Sequence, residues 1–300
     1  MNFLITGAWQ QANEYIDLIE RKGHKVVFLQ YEKDNLPCDY EWVEGVIGNG
    51  LFLSHPIENF VNLKYIQLTS VGFDRVPMKH IIEHDIVINN ARGVYSIPMA
   101  EYALSSVLSL YKYQMFFYNN QNKHIWEKKR DLIELAGKTV CIVGCGSVGL
   151  ECAKRFNAMD CVIYGIDNTP RQHHDFCGMY PIDDIKLVLS KSDIVILTLP
   201  LTDQTRNMFN RSLFDVMKSG SILVNIARGA LVNTNDLLEA LDSNHLFGAV
   251  LDVFEEEPLS LDSALWDMNN VIITPHNSFV GNNNCKRISK LIIDNLESVC

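Results

Sequence analysis

Between Lys138 and Asp167 the chain reads KTVCIVGCGSVGLECAKRFNAMDCVIYGID, and no other stretch restricts the fold so tightly. The run Thr139-Val140-Cys141-Ile142-Val143 is apolar and rich in β-branched residues, the composition of a buried strand. The glycine turn Gly144-Cys145-Gly146-Ser147-Val148-Gly149 follows at once. Val148, Cys152 and Phe156 then recur at helical spacing with Lys154 and Arg155 turned outward, and a second strand, Cys161 to Ile166, ends on Asp167.

Each part of this strand–turn–helix–strand–acid unit suits a dinucleotide. Gly144 permits the tight turn, Gly146 lets the backbone approach a pyrophosphate, and Gly149 lets the helix pack closely on its strand. The N–H groups at the start of the helix, around Ser147 and Val148, face the phosphates with the positive end of the helix dipole. Asp167 stands 18 residues beyond Gly149, close to the spacing at which an acid accepts the ribose hydroxyls of NAD. A carboxylate there repels the 2′-phosphate of NADP, and Arg171 nearby could soften that preference.

A length of 300 residues suits about two domains. The net charge of −10 argues against nucleic acid or an anionic membrane as the main partner, although a local Arg can still hold an anionic substrate. The eight cysteines follow no CxxC or metal-ligand spacing, and several fall on expected strands or buried helix faces, so reduced core thiols are expected. The opening MNFLITGAW has no basic n-region, and no apolar run approaches the ~18 residues of a membrane helix. A cytoplasmic protein is the expectation.

In chain order the pattern predicts strands at 3–6, 25–29, 45–47, 64–68 and 86–89, with helices at 12–22 and 77–83. Strands alternating with helices imply a parallel sheet of its own for roughly residues 1–90. A single long helix is expected from Ile97 to about Tyr118, placed to bridge two domains, followed by an exposed arm or dimer contact from Asn119 to Lys129 carrying Trp126. After Asp167 the alternation continues, with strands at 193–199, 222–226, 248–253 and 271–274. Helices fall at 185–189, 211–217 and 235–241, the last capped by Asn233 or Thr234, and a helix over 283–296 follows the final strand.

In open parallel sheets, ligands bind beyond the C-terminal ends of the strands. The polar residues just after expected strands there are Asn225 to Gly229, Asp252, Glu255 to Glu257, and Thr274 to Asn277. An Arg such as Arg228 can grip a carboxylate with two hydrogen bonds and polarise the adjacent carbonyl. A His such as His276 can give or take a hydroxyl proton near neutral pH, and a Glu bonded to it would fix its orientation and favour its protonated form. His173-His174-Asp175 resembles a metal pair in a polar loop, but no metal is expected there.

With those residues in hand, the chain resembles the D-isomer-specific 2-hydroxyacid dehydrogenase family over essentially its full length. The matching segments are LTSVGFDRVP (68–77), GVYSIPMAEYAL (93–104), GKTVCIVGCGSVG (137–149), SDIVILTLPLTDQTRNM (192–208), LVNIARGALVN (223–233), GAVLDVFEEEPL (248–259) and NNVIITPHNS (269–278). The resemblance implies an α/β protein of two Rossmann-like or flavodoxin-like parallel-sheet domains with the active site in the cleft between them. Residues 1–93 plus 276–300 would form a discontinuous substrate domain and 94–275 the NAD-binding domain. It further implies Arg228 as the substrate-orienting Arg, Glu257 as the acid paired with the catalytic His, and His276 as the proton donor and acceptor. Val71 and Gly72 match the turn that receives the substrate carboxylate. Asp252 matches the acid near the nicotinamide, and Pro200, Thr205 and Ala227 match cofactor-lining loops.

The implied activity is NAD-dependent interconversion of a small D-2-hydroxy acid and its 2-oxo acid, by a homodimer joined through the cofactor domains. The family also contains NAD(H)-sensing corepressors, so a binding protein on the same fold is the alternative. Two features depart from the pattern or stay open. Asp160 stands where many relatives carry glycine, which leaves an altered turn open there, with little functional consequence expected. Tyr95 and the Leu51-Phe52 pair either shape a pocket for an apolar substrate side chain or pack in the core. The absence of a further domain after the last helix counts against the long, serine-regulated phosphoglycerate dehydrogenases, while short forms keep phosphoglycerate open as a substrate.

Overall fold

A computed structural model describes residues 1–297. The chain divides into two compact units, Met1–Tyr95 together with the segment from Gly281 onward, and Ser96–Val280. The second division falls after Val280 rather than before His276, and the N–H groups of residues 276–278, donating to Asp252, tie that segment to the second unit.

In the first unit, β1 (Asn2–Thr6), β2 (Lys25–Leu29), β3 (Gly45–Gly48), β4 (Tyr65–Leu68) and β5 (Val87–Asn89) form a parallel sheet in the order β2-β1-β3-β4-β5. That is the flavodoxin-like doubly wound order. A parallel sheet is covered on both faces, which is why β3 and β4 are buried at every position. The helix α1 (Ala12–Arg21) and the last helix of the chain, Asn284–Glu297, cover one face. Ile288, Ile292 and Leu296 point inward from that last helix, and the Trp9 indole N–H donates to Ser289 Oγ at 2.8 Å. Short 3-10 turns and α2 (Met78–Glu83) cover the other face. Leu51 is part of that second core and Tyr95 is packed against the first, its hydroxyl donating to the Thr69 carbonyl at 2.5 Å. Core packing therefore accounts for both.

The second unit opens with α3 (Ser96–Tyr111) and α4 (Gln114–Asn122). Its seven strands are β6 (Thr139–Val143), β7 (Val162–Ile166), β8 (Gly178–Tyr180), β9 (Ile194–Leu197), β10 (Ser221–Asn225), β11 (Leu246–Leu251) and β12 (Val271–Ile273). They are all parallel, in the order β12-β11-β10-β9-β6-β7-β8. The order reverses between β6 and β9, as in the dinucleotide-binding doubly wound fold. On one face α3 and α5 (Ser147–Asn157) enclose a core that includes Ala103, Val107, Cys152 and Phe156. On the other lie α6 (Ile185–Leu189), α7 (Arg211–Phe214) and α8 (Thr234–Asp242). Asn233 caps α8, its side chain accepting from Asp236 N.

Three elements differ from the sequence expectation. The single helix expected over 97–118 is two, because Tyr113 takes a left-handed backbone at φ +49° and turns α4 away from α3. No Gly or Pro marks this break; Lys112 Nζ bonded to the Ile133 carbonyl at 2.8 Å and Lys129 Nζ lying 4.1 Å over the Tyr113 ring hold it. The expected arm from Asn119 is helical as far as Asn122, and Trp126 beyond it is 97% exposed. The edge strand β8 has too few apolar residues to stand out from its polar neighbours. Asp160, by contrast, keeps the turn that glycine would make: it sits at φ +60° and its carbonyl accepts Gly137 N–H at 2.9 Å. Asp is one of the few residues with a side chain that tolerate this region.

The helix α9 is Asn284–Glu297, and no helix among the described residues is long and apolar enough to cross a membrane.

Candidate active site and cofactor cradle

The glycine turn lies at the point where the strand order reverses. Gly144 has φ +95°, and a Cβ there would stand 2.6 Å from Leu199 N and 2.8 Å from Thr198 C. The loops after β6 and β9 thus run backbone against backbone, pinned by Thr198 Oγ1 donating to the Gly144 carbonyl at 2.5 Å. At Gly149 a Cβ would meet the Gly144 carbonyl at 2.3 Å, which is the close helix–strand approach the glycine allows. Gly146 is the opposite case, with nothing within 4 Å of its Cβ position. Space is open at the N-terminus of α5, where the first helical N–H groups have no acceptor in the helix. A pyrophosphate fits that cradle, and a side chain at Gly146 would occupy it.

Asp167 follows β7 directly. Its Oδ2 accepts Cys145 N–H at 2.8 Å and its Oδ1 accepts Thr169 N–H at 3.0 Å. Each carboxylate oxygen keeps a further lone pair, so the acid is oriented and can still accept ribose hydroxyls. The Cys145 thiol beside it is pushed up to about 12 by burial and by the Asp167 charge, and burial likewise raises Cys152 to about 12 and Cys161 to about 11. These thiols stay protonated and inert. All seven cysteines among the described residues are unpaired.

The loop after β9 holds its own shape, with Thr205 Oγ1 donating to the Pro200 carbonyl at 2.8 Å and accepting Thr202 N–H at 2.7 Å. After β10, Asn225 organises the turn: its Oδ1 accepts Ala227 N–H at 3.2 Å and its Nδ2 donates to the Arg228 carbonyl at 2.9 Å. The Arg228 guanidinium donates to the Ala227 carbonyl at 2.8 Å. A Cβ on Gly229 would stand 1.8 Å from the Phe254 carbonyl carbon, so the Arg228 turn lies directly on the main chain of the acidic loop after β11.

In that loop Phe254 N–H donates to Glu257 Oε1 at 3.1 Å, and Glu257 Oε2 lies 2.9 Å from His276 Nδ1. Both side chains are partly exposed. Among the described residues His276 Nε2 makes no hydrogen bond, so it is the nitrogen left to exchange a proton with a ligand. Neither Glu255 nor Glu256 is hydrogen-bonded to the His through its side chain. His276 itself holds φ +51°, a conformation that costs a residue with a side chain about 1–2 kcal/mol.

Asp252 is fully buried. Its main-chain carbonyl accepts His276 N–H at 2.7 Å, its Oδ1 accepts Asn277 N–H at 2.7 Å, and its Oδ2 accepts Ser278 N–H at 3.0 Å. Asn225 and Thr274 belong to strand-end segments but no motif in the sequence assigns them a role, and no sequence signal marks Tyr102 on α3 as part of the site.

Within the first unit, Val71 and Gly72 form a loop after β4. The Val71 carbonyl accepts Asn90 Nδ2 at 2.7 Å and the Gly72 carbonyl accepts the Ser70 hydroxyl at 3.2 Å. The two N–H groups have no acceptor among the described residues. The ring nitrogens of His173 and His174 lie 3.6 and 3.4 Å from Asp175 Oδ2, and Asn157 Nδ2 donates to the same carboxylate at 3.3 Å.

Residues 104–278 match the family pattern described as D-isomer specific 2-hydroxyacid dehydrogenase, NAD binding domain. The D-3-phosphoglycerate dehydrogenase of Methanocaldococcus jannaschii is 35% identical over 222 residues, 73% of this chain but only 42% of that protein's length. The glyoxylate reductase of Thermofilum pendens is 32% identical over 246 residues, covering 79% of this chain and 72% of its own. The solved structure of a D-isomer specific 2-hydroxyacid dehydrogenase family protein from Aeromonas salmonicida superposes with a TM-score of 0.81 at 26% identity, covering 99% of this chain and 96% of that one. With a sheet order that makes a dinucleotide crevice, a cradle open at Gly146 and this agreement in sequence, the chain belongs to the D-isomer specific 2-hydroxyacid dehydrogenase family and carries its NAD-binding domain.

Proposed function

We propose that the chain is an NAD-dependent oxidoreductase interconverting a D-2-hydroxy acid and its 2-oxo acid. The observation that carries this reading is the Glu257–His276 pair at the C-terminal end of the sheet, with the Arg228 turn packed on the same loop. NAD(H), when bound, supplies or accepts the hydride. In the direction of reduction, Arg228 holds the substrate carboxylate and polarises its carbonyl, while His276 Nε2 delivers a proton to the carbonyl oxygen. Glu257 keeps the imidazole in one orientation through its bond to Nδ1. In oxidation His276 removes the hydroxyl proton. The N–H groups of Val71 and Gly72 are proposed as donors to a substrate carboxylate.

The test is NADH oxidation, with NADPH alongside, against pyruvate, 2-oxoisocaproate, phenylpyruvate, hydroxypyruvate, glyoxylate and phosphohydroxypyruvate. One substrate with a clearly higher kcat/KM supports the reading; silence across the panel while NADH still binds removes it.

Asp167 sets the cofactor preference. Asp167→Ala is expected to raise KM for NADH by about 10-fold, the worth of a hydrogen bond to a charged group, and to lower KM for NADPH by removing the repulsion. Initial rates with both cofactors check this.

The working form is proposed to be a homodimer in which a second copy covers the face around α4. Phe117, His124, Ile125 and Trp126 line a groove of about 790 Å³ there, and exposed apolar surface of this kind is characteristic of protein contacts. Trp126→Glu is expected to shift the protein from dimer to monomer in light scattering. A reducing, cytoplasmic setting is supported by the unpaired cysteines.

A further inference from the structure

The segment that carries His276 is held by a partly buried chain of hydrogen bonds that begins on a different layer of the domain. Tyr102, on α3, places its hydroxyl 2.7 Å from Thr274 Oγ1, and Thr274 Oγ1 is 2.5 Å from Asp252 Oδ1. A threonine hydroxyl has one proton, and a carboxylate can only accept. Thr274 must therefore donate to Asp252, and Tyr102 must donate to Thr274. The phenol is suited to keep that proton: burial, and the Asp252 charge nearby, push its ionisation up.

Downstream of Asp252 the relay meets the main chain that carries the imidazole. The Asp252 carboxylate accepts the N–H groups of Asn277 and Ser278, and its carbonyl accepts that of His276. Three consecutive N–H groups thus converge on one buried residue, around the left-handed backbone of His276 at φ +51°. That backbone persists only where its surroundings impose it. Thr274, itself oriented by the Tyr102 hydroxyl, supplies the side-chain donor that holds the Asp252 carboxylate in one rotamer.

We infer that Tyr102 and Thr274, acting through Asp252, are positioning residues that set the imidazole of His276 in its reactive orientation. The inference rests on the proposed acid–base role of His276. The helix α3 is thereby coupled to the reacting end of the domain by a chain of hydrogen bonds, in which Asp252 touches the His-bearing segment at three successive residues.

The experiment compares Thr274→Val, which keeps the shape and removes the hydroxyl, with Thr274→Ser, which restores it, and with Tyr102→Phe. Three readouts are taken on the full chain: kcat and KM with NADH and the best 2-oxo acid, NADH affinity by fluorescence, and hydrogen exchange of the Asn277 and Ser278 amides. Thr274→Val is expected to lower kcat by at least about 10-fold, since small misplacements of a reacting group are costly. NADH affinity should stay within about 2-fold, and exchange of the two amides should quicken by at least about 10-fold. Thr274→Ser should recover most of kcat, and Tyr102→Phe should fall between. Undiminished kcat in Thr274→Val overturns the inference, as does a Thr274→Ser variant no better than the valine. Should His276→Ala retain kcat, it is the acid–base reading that fails. The exchange rates then judge the relay alone, and unaltered protection in Thr274→Val overturns it.

Discussion

His276→Ala is expected to lower kcat by about 10²–10⁴-fold, the range that positioned acid–base groups contribute, while NADH affinity stays unchanged. The reason is geometric. Glu257 engages Nδ1 at 2.9 Å, and Nε2 has no partner among the described residues. The ring is thus built to be held at one nitrogen and to exchange protons at the other. A loss in kcat without a matching change in substrate KM is the signature of an interaction made in the transition state. Glu257→Gln provides the graded comparison: the amide can still bond the ring but carries no charge to stabilise an imidazolium, so a smaller loss is expected. Steady-state kinetics on the two variants, with NADH binding measured separately, decide the matter. A His276→Ala enzyme of undiminished kcat would remove the proposed role.

Gly229→Ala is expected to be nearly as damaging without touching a reacting group. The added Cβ would stand 1.8 Å from the Phe254 carbonyl carbon, 2.1 Å from its oxygen and 2.4 Å from Glu255 N. All three are main-chain atoms, so no side-chain rotation relieves the clash; one of the two loops must move. Overpacking of this kind costs about 1–3 kcal/mol, which corresponds to a fall in Tm of roughly 2–4 °C per kcal/mol for a domain of this size. The larger effect is on activity. Movement of the acidic loop shifts Phe254 N–H and Glu257 together, and movement of the other loop shifts Arg228. A displacement of about 1 Å at either place costs about 10²-fold in kcat/KM. Calorimetry and kinetics on the same preparation separate the two: a folded protein with a modest loss of Tm and a large loss of kcat/KM is the expected result. Wild-type kinetics would show that the loops are not mutually positioned by this contact.

The class of fold and the dinucleotide turn are legible in the amino-acid sequence alone. Both are local: alternating buried strands and helices follow from runs of apolar residues at periods of 2 and 3.6, and Gly144, Gly146 and Gly149 announce a turn whose demands on the backbone are met within one strand–helix unit. Strand ends marked Arg228, His276 and the acidic run 255–257 as candidates, since in a parallel sheet chemistry gathers there, whereas the choice of Glu257 within that run came from the family resemblance. The helix break at Tyr113 was not legible, because no Gly or Pro marks it and the contacts that hold it come from Lys112, Lys129 and Ile133 across the fold. Nor could spacing show that Gly229 lies against Phe254, or that Tyr102, Thr274 and Asp252 form one hydrogen-bonded chain over 172 positions of sequence. Local pattern records what each segment needs from its own backbone and burial. Which segments then meet, and which donor finds which acceptor, depends on sheet order and helix packing, which no local run of residues records.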